Sequence, residues 1–168
     1  GGKQKDGEDI ANAIYKESLK YTSLKGYCEP FAGMCGVYKH IPELYPKKYT
    51  YLAGDLNGSV IRMWKRLQNG KWTPPSSISR KEFMELKNKP DSALKGFIGP
   101  VASYNGIFFG SFRYGNNPND TGHFDRTVQS AKKDAKMLYP VEFCHGSYDQ
   151  FSHLKNFVIY CDPPYEGS

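Results

Sequence analysis

Asn156-Phe157-Val158-Ile159-Tyr160-Cys161-Asp162-Pro163-Pro164-Tyr165 is the stretch whose reading decides the fold. Phe157 to Cys161 is a short apolar run rich in β-formers, the pattern of a fully buried strand in a sheet covered on both faces. Asp162 and two prolines follow at once. Proline lacks the N–H that a ladder needs and fixes its own φ, so the strand stops and the backbone turns. An acid just past a buried parallel strand stands where open α/β sheets bind their ligands. A strand-ending turn with a solvated carboxylate fits the same residues, but Pro-Pro-Tyr directly after the acid makes the ligand-binding reading the sharper one.

Working outward, three further strand-like segments appear. Val141-Glu142-Phe143-Cys144-His145 reads as a strand, followed by a turn through Gly146-Ser147-Tyr148-Asp149 and a short helix over Gln150 to Leu154. Gly26-Tyr27-Cys28-Glu29 is a strand that runs through Pro30-Phe31-Ala32 into a loop containing Gly33 and Gly36, after which Val37-Tyr38 can open a helix. Glycines at a strand-to-helix turn let a ligand approach the backbone closely. The spacing is neither the dinucleotide fingerprint nor a P-loop. Tyr49 to Asp55 is a strand ending in an acid 22 residues beyond Gly33, about where a βαβ unit places the carboxylate that binds ribose hydroxyls. Asp55 equally suits the N-cap of a helix over Gly58 to Leu67, whose apolar face is Val60, Ile61, Trp64 and Leu67.

Around these strands the spacing predicts a helix over Asp9 to Lys20, with Ile10, Ala13, Ile14 and Leu19 inward. Gly70 to Ser77 is turn-rich, Ser79 to Asn88 a short helix with Phe83 and Leu86 inward and Lys81, Lys87 and Lys89 outward. Leu94 to Ser111 mixes apolar residues with four glycines, Phe112 to His123 is a polar loop, and Asp125 to Leu138 is a basic helix.

The net charge of +6 is unevenly placed. Residues 61–140 carry 14 Lys/Arg against 6 Asp/Glu, whereas residues 1–60 carry 8 against 7 and residues 141–168 carry 1 against 4. A basic middle on a near-neutral scaffold suits a polyanion, although a solvated surface has the same composition. The 168 residues suit one domain with an insertion, and hold no run of 18 apolar residues and no signal peptide. Cys28, Cys35, Cys144 and Cys161 lack C-x-x-C spacing, and the four histidines lack metal-ligand spacing. Buried free thiols in a reducing compartment are expected, with no metal. A chain that opens Gly-Gly-Lys and stops three residues after the key motif reads as a fragment.

Glycine-glycine-lysine at 1–3, the Glu29–Gly36 loop, Asp55, a basic insertion and Asp162-Pro163-Pro164-Tyr165 stand in the order of the Dam-type DNA adenine methyltransferases, which this chain resembles across nearly its whole length. Ser103-Tyr104-Asn105-Gly106 is more loosely similar to that family's Asn-Gly segment.

The resemblance implies a Rossmann-like methyltransferase sheet with a mostly helical and loop DNA-recognition insertion. Residues 1–62 and 139–168 would form the catalytic domain and 63–138 the insertion. It also implies further strands after the motif, expected to lie beyond Ser168. The implied activity is transfer of a methyl group from S-adenosylmethionine to the N6 amine of an adenine flipped out of double-stranded DNA, in the cytoplasm or wherever the target DNA lies, as in restriction–modification. Lys3, Glu29, Pro30, Phe31, Gly33 and Gly36 would hold the methionine end of the cofactor, Asp55 its ribose, and Phe143 and Cys144 would border its adenine, with Tyr148 in place of a usual acid. Asp162, also beside the cofactor, Pro163, Pro164 and Tyr165 would form the target-base site. Tyr104, Asn105, Arg113, Asn116, Asn117, Arg126, Lys132 and Lys133 are the implied DNA contacts. Transfer to RNA or to the cytosine N4 amine, and an inactive subunit that binds cofactor or DNA, are the rival readings.

Overall fold

The computed structural model describes residues 3–113 and 121–164. They form an α/β protein with a four-stranded, all-parallel sheet and six α-helices among the described residues. The fold is compatible with a Rossmann-like architecture. Two compact units are distinguished: 3–57 with 137–164 carry the sheet, and Gly58–Lys136 carry most of the helices.

In the sheet unit, strands β1 (Gly26–Glu29), β2 (Thr50–Asp55), β3 (Val141–His145) and β4 (Phe157–Ile159) lie in the order β3-β2-β1-β4. Tyr27 is level with Tyr51 on one side and Val158 on the other, and Ala53 is level with Phe143. The chain therefore builds outward from β1 through β2 to β3 and then returns to the other flank of β1. The carboxyl ends of β1 and β4 flank the reversal point, where open parallel sheets form their ligand crevice.

Several of the tyrosines form the core of this unit. Tyr27 meets Tyr38 edge-on at 5.1 Å, and Tyr45 meets Tyr15 edge-on at 5.2 Å. The Tyr45 hydroxyl donates to Ser18 Oγ, and Tyr51 to the Pro46 carbonyl. These rings supply apolar area while the Tyr27, Tyr38, Tyr45 and Tyr51 hydroxyls each find a partner, the condition under which buried tyrosine is stabilising.

Helix α1 (Gly7–Ser18) turns a different face inward than the sequence suggests: Gly7, Ala11 and Ser18 are buried, whereas Ala13 and Leu19 are exposed. Small residues win because the helix sits close; a Cβ on Gly7 would fall 2.0 Å from the Gly36 carbonyl oxygen. The 38–44 segment is a 3₁₀ turn (Tyr38–His40) leading into α2 (Ile41–Leu44).

The expectation of a fully buried final strand is corrected. Phe157 and Val158 are half-buried, Ile159 is 44% exposed, and among the described residues β4 pairs on one side only, with β1. Strand burial depends on neighbours as well as on composition, so an apolar run alone overstates it. The thiol expectation is likewise met only in part. All four cysteines are free, but Cys28 and Cys35 are buried, Cys144 is half-buried and Cys161 is exposed.

In the helical unit, α3 (Gly58–Gln68) buries Val60, Ile61, Trp64 and Leu67 as its periodicity predicts, and Met63 with them. Helix α4 (Arg80–Lys87) starts on a capping box: Ser79 Oγ accepts from the Glu82 N–H, and the Glu82 carboxylate accepts from the Ser79 N–H. Its Phe83 is fully buried between Phe109 and Phe112, with ring centroids 4.9 and 5.0 Å away. Within the glycine-containing stretch from Leu94 to Ser111, to which the sequence assigned no element, Leu94–Val101 belongs to α5 (Ala93–Val101), capped by Ser92. A Cβ on Gly96 would lie 2.1 Å from the Ser59 carbonyl oxygen, so glycine is what allows α3 and α5 to pack backbone to backbone. Helix α6 (Thr121–Met137) begins four residues before the expected Asp125.

Candidate active site

Because all four strands run parallel, Glu29, Asp55 and the Asp162 segment emerge at one edge of the sheet. Three connections organise that edge. In the first, the Asp55 carboxylate accepts from the Gly33 N–H at 2.9 Å and from the Asn57 N–H at 2.8 Å. The acid at the tip of β2 thus fixes the glycine turn after β1, and the Ala32 N–H adds a bond to the Gly54 carbonyl. Each carboxylate oxygen keeps a second acceptor site after these bonds.

In the second, Lys3 Nζ lies 3.7 Å from Asp162 Oδ1, with both side chains about 30% exposed. The lysine is delivered by a pinned segment. Gln4 donates to the Met34 carbonyl and accepts from Lys39 Nζ, so residue 4 is tied to the glycine loop from both ends of its amide. Gly36 makes room for it: a Cβ there would stand 3.1 Å from both Gln4 N and the Lys3 carbonyl carbon. The glycine at 36 therefore seats protein backbone.

The third is a buried carboxyl that motif reading assigned to the cofactor without seeing its surroundings. Glu29 is 4% exposed, and its Oε1 accepts from the Tyr27 hydroxyl at 2.8 Å. The carboxyl is pushed up to about 8, chiefly by burial, with the Tyr27 hydrogen bond lowering it and the Asp162 charge adding to the rise. Tyr27 in turn is raised well above the usual phenol value, first by its own burial. The pairing was legible: residues two apart on a strand share a face.

Phe31 and Tyr148 meet as tilted rings at 5.6 Å, joining the turns after β1 and β3. Pro30 is buried, and its carbonyl oxygen faces Gly54. Phe143 is buried on β3, and Cys144 is half-buried opposite Gly54. Pro163 and Pro164 are exposed; Tyr165 lies outside the described residues.

The implied DNA contacts belong to the helical unit. Tyr104 and Asn105 sit in an exposed turn closed by the Ser103–Phe112 bridge, with the Tyr104 N–H on the Ser111 carbonyl and Asn105 at φ 55°. Arg113 flanks that turn, its N–H bonded to the Ala102 carbonyl. Arg126 and Lys133 are exposed on α6 and Lys132 is half-buried, while Asn116 and Asn117 lie outside the described residues.

Among the described residues no cluster of His, Cys, Asp and Glu is arranged to hold a metal, and no helix is long and apolar enough to cross a membrane. No protein-family model matches this chain, and no curated protein matches its sequence.

Proposed function

We propose that this chain is a DNA adenine-N6 methyltransferase that uses S-adenosylmethionine. The observation that carries the reading is the approach of Lys3 to Asp162 at the sheet's reversal point. It joins the glycine-glycine-lysine and the Asp-Pro-Pro-Tyr motifs, which the sequence holds at opposite ends.

The residues at the edge fit an S-adenosyl group. Gly33 and Asp55 offer a backbone turn and a carboxylate with acceptor sites left for ribose hydroxyls. Lys3 offers a cation for a carboxylate, Asp162 offers an anion for an ammonium, and Phe31 with Tyr148 offers aromatic surface for a purine. When bound, the cofactor supplies an electrophilic methyl on a sulfonium.

The protein's part is orientation and charge placement. An exocyclic adenine amine is a poor nucleophile because its lone pair is delocalised into the ring. Asp162 Oδ and the Pro163 carbonyl accept its two N–H bonds, favouring a tetrahedral nitrogen with its lone pair directed at the methyl. Preorganised acceptors of this kind lower the barrier without a covalent intermediate. Pro163 and Pro164 fix the backbone that presents both acceptors. Tyr165 stacks on a base extruded from the duplex, since the amine is out of reach inside it.

Residues 61–140, with their excess of Lys and Arg, are the DNA-recognition part. Tyr104, Asn105, Arg113, Asn116, Asn117 and Arg126 are the groove and base contacts, and Lys132 and Lys133 meet phosphate. Radiolabelled methyl transfer to duplex DNA tests the reading, with Asp162→Ala as the variant that must lose it.

A further inference from the structure

We propose that Glu29 is a proton-releasing group, which surrenders its proton to solvent when a cationic amino-acid group docks at the carboxyl ends of β1 and β4, making cofactor binding pH-linked. The inference rests on the methyltransferase reading and concerns how that site is regulated.

The geometry is specific. Alternation along β1 puts Tyr27 and Glu29 on one face, and the register with Val158 carries that face across to β4. The Tyr160 N–H bonds the Cys28 carbonyl, extending the ladder one residue past β4 toward Asp162. Glu29 Oε1 is taken by Tyr27, and Oε2 has no hydrogen-bond partner among the described residues. A buried carboxylate so poorly compensated is costly, and the group escapes the cost by staying protonated.

The titratable and charged groups around Glu29 are Tyr27 from its own strand, Tyr38 from the 3₁₀ turn, the adjacent Cys28, and Asp162 with its partner Lys3. Tyr27 and Tyr38 are held well above the phenol value and Cys28 is pushed up to about 12, each chiefly by burial, so all three stay neutral near pH 7. Glu29, at about 8, is the buried member of this set that changes charge near neutrality. The S-adenosyl ligand brings an ammonium to the carboxyl ends of β1 and β4, which carry Glu29 and Asp162. A cation placed there favours the ionised form of Glu29, and linkage requires the displaced proton to leave.

Calorimetric titration of the full chain with S-adenosylhomocysteine tests this. The titration is run at about pH 7 in two buffers of unlike ionisation enthalpy, where the linkage relation converts the enthalpy difference into protons exchanged. The wild type is expected to release close to one proton per ligand, and Glu29→Gln to bind with none released. Equal enthalpies in the two buffers for a wild type that binds would overturn the inference and leave the methyltransferase reading standing. Proton release that persists in a folded Glu29→Gln would also overturn it. Absence of any binding by the wild type would remove both. Circular dichroism establishes that the variant folds; if it does not, the wild-type buffer comparison decides alone.

Discussion

The Lys3 ammonium stands 3.7 Å from the Asp162 carboxylate, bringing the first and last motifs of the chain to one edge of a parallel sheet. That separation exceeds a hydrogen bond, and both groups are about 30% exposed, so the pair contributes little to stability, about 1 kcal/mol or less. A contact that stabilises so weakly is informative for where it puts charge. Lys3→Met is expected to leave the unfolding midpoint almost unchanged while lowering methyl transfer at least about tenfold, equivalent to about 1.4 kcal/mol of transition-state stabilisation. Thermal denaturation and steady-state kinetics on the same preparation check both halves.

Asp55 has a structural role and a proposed binding role, and substitution separates them. Asp55→Ala removes the carboxylate that accepts from the Gly33 and Asn57 N–H groups, at a cost of about 1–3 kcal/mol. Asp55→Asn keeps one acceptor oxygen, so it is expected to recover part of that stability while still binding S-adenosylhomocysteine more weakly than wild type. Denaturant titration and calorimetry give the two numbers.

Glu29 makes stability depend on pH in an unusual direction for a carboxylate. Its folded value of about 8 lies above the usual glutamate value, so the folded state holds the proton more tightly than the unfolded chain. The contribution is therefore fully present below the usual glutamate range and is lost as pH rises towards about 8. Within that window the slope from this one group approaches about 1.4 kcal/mol per pH unit. Glu29→Gln is expected to flatten the curve, measured by urea denaturation across the window; an identical slope in the variant contradicts the assignment.

The excess of 14 Lys/Arg over 6 Asp/Glu in residues 61–140 predicts steeply salt-dependent duplex binding. Neutralising about 6 phosphates costs about a thousandfold in affinity between low and moderate salt. Filter binding at graded salt measures the slope, and a flat line rules out the polyanion role.

The strands and most helices were legible because apolar runs and 3.6-residue periodicity report local burial directly. The spacing of Gly33 and Asp55 was read as that of a ribose-binding acid, and the hydrogen bond that joins the two residues was not foreseen. Helix α5 was not legible, because Gly96, Gly99 and Pro100 are breaker signals, whereas in the fold Gly96 is the contact surface toward Ser59. The exposure of β4 was hidden for a related reason: Ile159 has the composition of a core strand but a ladder partner on one side only among the described residues. The depth of Glu29 was not read from the sequence, although Tyr27 on the same strand face was a signal for it, and its link to Asp162 needed the return of the chain to the far flank of β1.

The most direct measurement is radiolabelled methyl transfer from S-adenosylmethionine to mixed-sequence duplex DNA, followed by nucleoside analysis. The account predicts label in N6-methyladenine with wild type and none with Asp162→Ala, while that variant still binds S-adenosylhomocysteine. Label in cytosine instead, or undiminished adenine methylation by Asp162→Ala, would contradict it.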